Sequence, residues 1–148
     1  MTQGRHIPLS QDAALVVALA GTAMPFAHSA EDEAERWLRA MRLHGQVGAA
    51  LQALGVGESP LMTGSEHEHS EGHGKPTLGP DVLEDITRRA TELAGAREAD
   101  TVGTPDLLFA VLDVYGKLFD RALYLRGTSR EELVERLVSS DVTRRPQA

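Results

Sequence analysis

Apolar residues recur every three or four positions over most of this 148-residue chain, a spacing that predicts α-helices with one buried face. In the first half, Ser10 is a favourable N-cap for a helix that Pro25 ends. A second helix is predicted over about 32–43, where acidic residues in the first turn complement the helix dipole. After a break at Gly45, a short third helix is predicted over about 47–54.

Proline, glycine and hydroxyl residues mark the helices of the second half. Pro80 is typical of the first position of a helix and opens one over about 80–96. The segment 104–106, with a hydroxyl cap, a proline and an acid, starts another. Helices over about 117–125 and after the capping box at 128–131 complete this half. No segment alternates apolar and polar residues over the length of a strand, so we predict an all-α fold.

The same periodicity predicts which residues face the core. These are Leu15, Val16, Leu19 and Ala23; Trp37, Leu38 and Met41; Leu83, Ile86, Ala90 and Leu93; Leu107, Leu108, Val111 and Leu112; and Leu133, Leu137 and Val138. Because aromatic residues make up only 4% of the chain, aliphatic and small side chains must fill this core, which suits closely packed helices.

The helical pattern occurs twice, at an interval of about 71 residues. The corresponding glycines are Gly45 and Gly116, 71 residues apart, and Gly55 and Gly127, 72 residues apart. Upstream, Leu15 pairs with Ile86 and Leu19 pairs with Ala90 at the same interval. Self-similarity at a fixed interval is the signature of a repeated structural unit. We therefore predict a pseudo-two-fold duplicated helical bundle with about four helices in each repeat.

The predicted organisation is a single domain over residues 1–148. The first repeat spans 9–63 and the second spans 78–140, and the tail 141–148 is expected to fray because it carries no core residue. The intervening segment 64–77 is rich in histidine and glycine and has no aliphatic residue, so it cannot form a core by itself.

Charge and apolar run lengths argue against two classes of partner. The net charge of −7 disfavours nonspecific nucleic-acid binding, which needs a basic face. No apolar run approaches the ~20 residues of a membrane span, and the first residues lack the pattern of a signal peptide. The chain has no cysteine, which excludes disulfides and thiolate chemistry. We expect a cytoplasmic protein that contacts neither nucleic acid nor membrane.

Three histidines in the segment 64–77 are the candidate metal ligands. His67, His69 and His73, with glutamates between them, have donor groups suited to Zn, Ni or Cu. Because no rigid element supplies a fourth ligand or orients the rings, we favour a solvated linker and expect no cofactor. A metal- or pH-responsive regulator acting through these histidines stays open as an alternative.

The sequence contains no recognisable catalytic constellation. His28 is a conceivable general base, but no nucleophile-elbow serine, Walker loop or dinucleotide fingerprint accompanies it. Trp37 is a conceivable stacking residue, although its helical spacing beside Leu38 and Met41 favours a core position. We therefore predict a protein that is not an enzyme.

Polar residues at the predicted helix starts are the candidate peptide or ligand contacts. Asp32, Glu33 and Asp106 place carboxylates in first turns, where they complement the helix dipole or contact a cationic group. Ser10 and Thr104 supply hydroxyl groups at two further starts.

The segment 102–112, Val-Gly-Thr-Pro-Asp-Leu-Leu-Phe-Ala-Val-Leu, resembles the Val-Gly-Thr-Glu-His motif of the Clp N-terminal (Clp repeat) domain. The Leu-Gly ending at 54–55 and the segment 121–127 resemble the end of the short helix in that family. The resemblance covers about residues 9–140. It implies the substrate- and adaptor-recognition module of Clp-type AAA+ unfoldases, here as a stand-alone domain without the ATPase.

Two motif positions depart from the family pattern. In the Clp C-type branch, the motif glutamate of each repeat belongs to a pocket for phosphorylated arginine. Here Pro105 stands at the glutamate position and Asp106 at the histidine. Counting back from Gly45 places Glu33 at the first-repeat glutamate and Asp32 at the threonine. The resemblance thus implies that one pocket keeps its carboxylate and the other lacks it.

The resemblance implies a non-catalytic protein- or peptide-binding module of the Clp proteolysis system. Its expected partners are a Clp unfoldase, its adaptors or its substrates, for which the chain acts as an adaptor or a decoy. An alternative is a resistance protein that sequesters cyclic peptides directed at Clp unfoldases, through an apolar patch near Phe26, Phe109, Phe119 or Tyr124. The sequence leaves the oligomeric state open, and a monomer is favoured.

Overall fold

A computed structural model describes residues 7–56 and 76–144. The helices in these ranges are α1 (Gln11–Ala23), α2 (Ala30–Arg42), α3 (Gly45–Ala53), α4 (Val82–Ala96), α5 (Thr104–Tyr115), α6 (Lys117–Leu125) and α7 (Arg130–Arg144). No strand occurs within the described ranges, where an isolated parallel bridge joins Leu9 to Val102. The predicted all-α class is confirmed, and α7 extends past the repeat boundary predicted at 140.

Local sequence signals account for several helix ends. Ser10 and Ser29 cap α1 and α2 by accepting a hydrogen bond from a backbone N–H at 3.1 Å, as predicted for Ser10. Pro25 lies in the 3-10 turn that follows α1. Gly55 and Gly127 follow α3 and α6 with φ of +87° and +85°, a conformation that glycine adopts without a Cβ penalty.

Five predicted helix starts are displaced by one or two residues. α2 begins at Ala30 and α4 at Val82, instead of at about 32 and 80, so Pro80 precedes the helix. Gly103 is the N-cap of α5, and Thr104 is its first helical residue. Ser129, rather than Thr128, accepts the backbone N–H that caps α7. Gly45 does not separate two helices but is the first residue of α3. Displacements of this size are common because several residues at a helix end compete for the same unpaired backbone groups.

One hydrophobic cluster joins the helices of both halves. α2 contacts α1, α3, α5 and α6, while α5 contacts α1, α2, α3, α4 and α6, so these two helices form the centre of the fold. α7 packs on α3. The largest fully buried side chains are Trp37, Phe119, Leu38, Met41, Leu51, Ile86, Leu107, Leu108, Leu123 and Leu133. The predicted core position of Trp37 is confirmed.

The observed core differs from the predicted one in α1, α4 and α7. The predicted core residues that are exposed instead are Leu15, Leu19, Leu93 and Val138, at 41%, 40%, 39% and 58%. The smaller residues Ala13, Ala20 and Ala94 are fully buried. Hydrophobic periodicity weights leucine above alanine, whereas closely approaching helices favour the small side chain at the contact. The 71-residue pairing of Leu15 with Ile86 and of Leu19 with Ala90 therefore equates exposed with buried positions.

Candidate functional site

The carboxylate of Glu33 lies inside the fold, where α2 meets α5. Glu33 is only 3% exposed, and its Oε1 accepts hydrogen bonds from the Tyr115 hydroxyl at 3.0 Å and the Leu78 backbone N–H at 3.2 Å. Burial and the nearby Glu33 carboxylate raise the pKa of Tyr115, which keeps the hydroxyl protonated as a donor. Glu33 thus joins helices instead of presenting a carboxylate to a ligand.

The start of α5 is held by two further buried polar residues. The Asp106 carboxylate accepts the Gly103 backbone N–H at 2.9 Å and the Arg97 Nε at 3.0 Å, with a second hydrogen bond from Arg97 Nη2. The Thr104 hydroxyl accepts the Val47 backbone N–H at 3.3 Å and so caps α3, not its own helix. Because both residues are internally bonded and nearly inaccessible, they position α5 against α3 and α4.

The other two predicted contact residues lie at separate helix starts. Asp32 forms an ion pair with Arg36 at 3.1 Å and accepts the His28 backbone N–H at 3.0 Å. The Ser10 N–H donates to the Val102 carbonyl at 2.9 Å, which places Ser10 beside the segment that precedes α5. The five predicted contacts are therefore divided among the starts of α1, α2 and α5, and three of them are buried.

The metal candidates His67, His69 and His73 lie outside the described residues. Within residues 7–56 and 76–144, no group of three or more histidine or acidic side chains is arranged to hold a metal ion. In the same ranges, the helices are too short or too polar for any of them to cross a bilayer.

An apolar groove of about 530 Å³ lies between α4, α5 and α7. Leu93, Phe109 and Val138 line it and are 39%, 41% and 58% exposed. The ion-paired side chains of Arg97 and Asp106 lie in the same wall. This depression, here termed the α4–α5–α7 groove, combines accessible apolar surface with a polar margin, as peptide- and ligand-binding depressions commonly do.

The four aromatic residues of the predicted apolar patch do not form one surface. Phe109 lines the groove, but Phe119 is fully buried among the core residues. Phe26 and Tyr124 are 67% and 77% exposed and do not line the groove. Their separation reflects positions on different helices and turns, which the sequence does not relate in space.

A second pocket, of about 260 Å³, is lined by four arginines. Arg36, Arg39 and Arg42 project from α2, and Arg126 follows α6. The apolar part of the wall consists of Leu19, Ala23, Leu38, Ala40, Leu43 and Val56. The regular spacing of the three α2 arginines is visible in the sequence, but the candidate sites predicted from the sequence did not include them. Nothing in the sequence indicates that Arg126 joins them in this arginine pocket.

Comparison of the chain with protein-family models gave no match, and comparison with curated proteins gave no significant one. The resemblance to the Clp N-terminal domain therefore stays a prediction, based on the motif residues and their repeated spacing in the sequence.

Proposed function

We propose that this chain is a non-catalytic, Clp N-like domain that binds peptides or exposed protein segments in the cytoplasm. It acts as an adaptor or decoy for a Clp unfoldase, its adaptors or its substrates. The α4–α5–α7 groove is the observation that carries the proposal. Amphipathic segments dock in apolar grooves through a few anchoring side chains, and Leu93, Phe109 and Val138 offer accessible surface for such anchors.

The helix contacts support a duplicated architecture. If α1, α2 and α3 correspond to α4, α5 and α6, each contact in one half has a counterpart in the other. The contact of α1 with α2 matches that of α4 with α5, and the contact of α2 with α3 matches that of α5 with α6. Across the halves, the contact of α2 with α6 matches that of α5 with α3. This exchange of partners supports a pseudo-two-fold axis between α2 and α5, although the contact of α1 with α5 has no equally extensive counterpart between α4 and α2.

Burial and capping support a different register from the constant interval of 71. The N-caps Ser29 and Gly103 are separated by 74 residues, as are the buried residues Val16 and Ala90 and the buried residues Ala20 and Ala94. The later pairs, Val47 with Phe119 and Leu51 with Leu123, are separated by 72 residues. The interval falls from 74 to 72 residues because α2 and its link to α3 contain two more residues than α5 and its link to α6.

In this register, a different residue of the first repeat occupies the position of the motif glutamate. Glu31 corresponds to Pro105, and Asp32 corresponds to Asp106, because each pair lies at the same distance from its N-cap. Glu31 thus replaces Glu33 as the first-repeat counterpart of the family's motif glutamate. Glu31 is partly exposed, whereas Glu33 is buried and bonded to Tyr115.

Binding of an unfolded protein tests the groove directly. We expect fluorescein-labelled casein to bind the chain in an anisotropy titration, and Phe109→Ser and Val138→Ser to weaken binding at least about fivefold. Phe26→Ser is the matched control, because this exposed phenylalanine lies outside the groove. Equal binding by all three variants would assign the interaction to another surface.

The link to Clp proteolysis needs a separate assay. An excess of the chain is expected to change the rate at which the Clp unfoldase and protease of the same organism degrade a labelled unfolded substrate. Phe109→Ser should abolish that change and Phe26→Ser should retain it. An unaltered degradation rate together with intact casein binding would remove the connection to Clp while preserving the peptide-binding proposal.

The groove volume also favours a second candidate, the sequestration of Clp-directed cyclic peptides. A volume of about 530 Å³ falls within the common range for small-molecule sites, roughly 300–1,000 Å³. This candidate predicts a rise in Tm with such a peptide that Phe109→Ser abolishes, without casein binding by the unmodified chain.

A further inference from the structure

The arginine pocket is a concentration of positive charge on a chain whose net charge is −7. Of the chain's 15 lysine and arginine residues, four line this one pocket, and no acidic side chain is among the described residues that line it. Two arginines occupy the last turn of α2, where they complement the negative end of the helix dipole. Arg126 does the same for α6, since it is the C-cap residue of that helix and donates to the Ala122 carbonyl, whereas the helix dipole gives no such reason for Arg36, earlier in α2.

Two of the four guanidinium groups, those of Arg36 and Arg126, are held in place by ion pairs within the fold. Arg36 is ion-paired with Asp32 and Arg126 with Glu35, at 3.1 Å and 3.5 Å, and the two arginine side chains are only 17% and 10% exposed. Arg126 also donates to the Ala122 carbonyl at 3.0 Å. Guanidinium groups restrained in this way lose little conformational freedom when they bind an anion.

Arg39 supplies charge that the described residues do not neutralise. Its side chain is half-buried in the pocket wall and makes no ion pair within residues 7–56 and 76–144. A guanidinium beside apolar side chains interacts more strongly with an anion than one in bulk water, because the surroundings screen the charge less. Carboxylates bind arginine with two parallel hydrogen bonds, which makes a carboxylate a suitable partner.

The size of the pocket and its apolar wall limit which kind of molecule can present the anionic group. The pocket volume of about 260 Å³ lies below the roughly 300–1,000 Å³ common for drug-sized ligands, so the pocket suits a single residue with its carboxylate. Leu19, Leu38 and Leu43 provide apolar surface for such a side chain. A bare inorganic anion would leave that surface uncovered.

We propose that the arginine pocket binds the free C-terminal carboxylate of a peptide whose last residue is apolar. The pocket shares no lining residue with the α4–α5–α7 groove, so this proposal does not depend on the proposed function. It predicts recognition of a chain terminus in addition to recognition of internal apolar segments.

A matched pair of peptides tests the proposal. N-acetyl-Ala-Ala-Leu with a free carboxylate is titrated into the ¹⁵N-labelled chain at 150 mM salt, beside the same peptide with a C-terminal amide. We expect saturable shifts with the acid and at least tenfold weaker binding of the amide. Arg39→Gln should weaken binding of the acid at least about fivefold, and Arg39→Lys should weaken it less. Arg136→Gln removes one charge from an exposed site outside both depressions and should leave binding unchanged.

Each contrary result identifies a different error. Equal binding of the acid and the amide would refute carboxylate recognition. Equal effects of Arg39→Gln and Arg136→Gln would show that binding depends only on the net charge of the chain and not on the arginine pocket. Saturable binding of octanoate without binding of the peptide acid would show that the pocket takes a fatty carboxylate and overturn the proposal. Because Phe109→Ser alters only the groove, loss of casein binding in that variant with unchanged peptide-acid binding separates the two proposals.

Discussion

Replacing Gly45 by alanine probes a contact that holds the two halves together. Gly45 and Gly55 both have positive φ, +75° and +87°, so alanine is strained at either position. A Cβ on Gly45 would lie 2.7 Å from both Cγ2 and Oγ1 of Thr104, whereas no atom lies within 4 Å of one on Gly55. Gly55→Ala therefore measures the conformational strain without the steric contact.

The magnitudes separate the two variants clearly. Positive φ costs an alanine about 1–2 kcal/mol. At Gly45, crowding adds about 1–3 kcal/mol, and displacement of the Thr104 hydroxyl from the Val47 N–H removes a hydrogen bond of about 1 kcal/mol. We expect Gly45→Ala to lower the free energy of unfolding by about 3–6 kcal/mol and Gly55→Ala by about 1–2 kcal/mol.

Urea denaturation followed by circular dichroism measures both changes. A double-mutant cycle with Thr104→Ala isolates the contact, because that substitution removes both crowded atoms of Thr104. The pair should show a coupling of at least about 1 kcal/mol, since Gly45→Ala costs less once Thr104 is truncated. Equal losses for Gly45→Ala and Gly55→Ala, or strict additivity in the cycle, would refute the steric argument.

Three further predictions concern stability and use the same denaturation measurement. In a Tyr124→Phe background, the free energy of unfolding should fall by up to about 1.4 kcal/mol per pH unit above about pH 10. Above that pH the Tyr115 hydroxyl ionises in the unfolded chain, whereas burial raises the pKa of Tyr115 in the folded chain. The same pH dependence in a Tyr115→Phe variant would show that Tyr115 is not its cause. Asp106→Asn should cost about 1–3 kcal/mol, because it weakens the hydrogen bonds of a buried carboxylate, and a loss below about 0.5 kcal/mol would show these bonds to be dispensable. Phe119→Ala should cost about 3–5 kcal/mol and the half-exposed Phe109→Ala less than about 1 kcal/mol; the reverse order would contradict the assigned burial.

The helices and many of their ends follow from the sequence because they depend on residues a few positions apart. Ser10 caps the helix that begins after it, and Gly127 ends α6, because backbone groups within one turn satisfy each other. The burial of Trp37 also follows from local spacing, since its apolar neighbours define one face of α2.

Only the tertiary structure decided which surfaces are available for binding. Leu93 and Val138 line a groove because α4, α5 and α7 surround it, and no periodicity within one helix determines which helices become neighbours. Glu33 is withdrawn from the surface by the hydroxyl of Tyr115, a residue of another helix. Arg126 reaches the α2 arginines in the same way. Side chains acquire these roles from neighbours distant in the chain, and such neighbours are set by packing of the whole core.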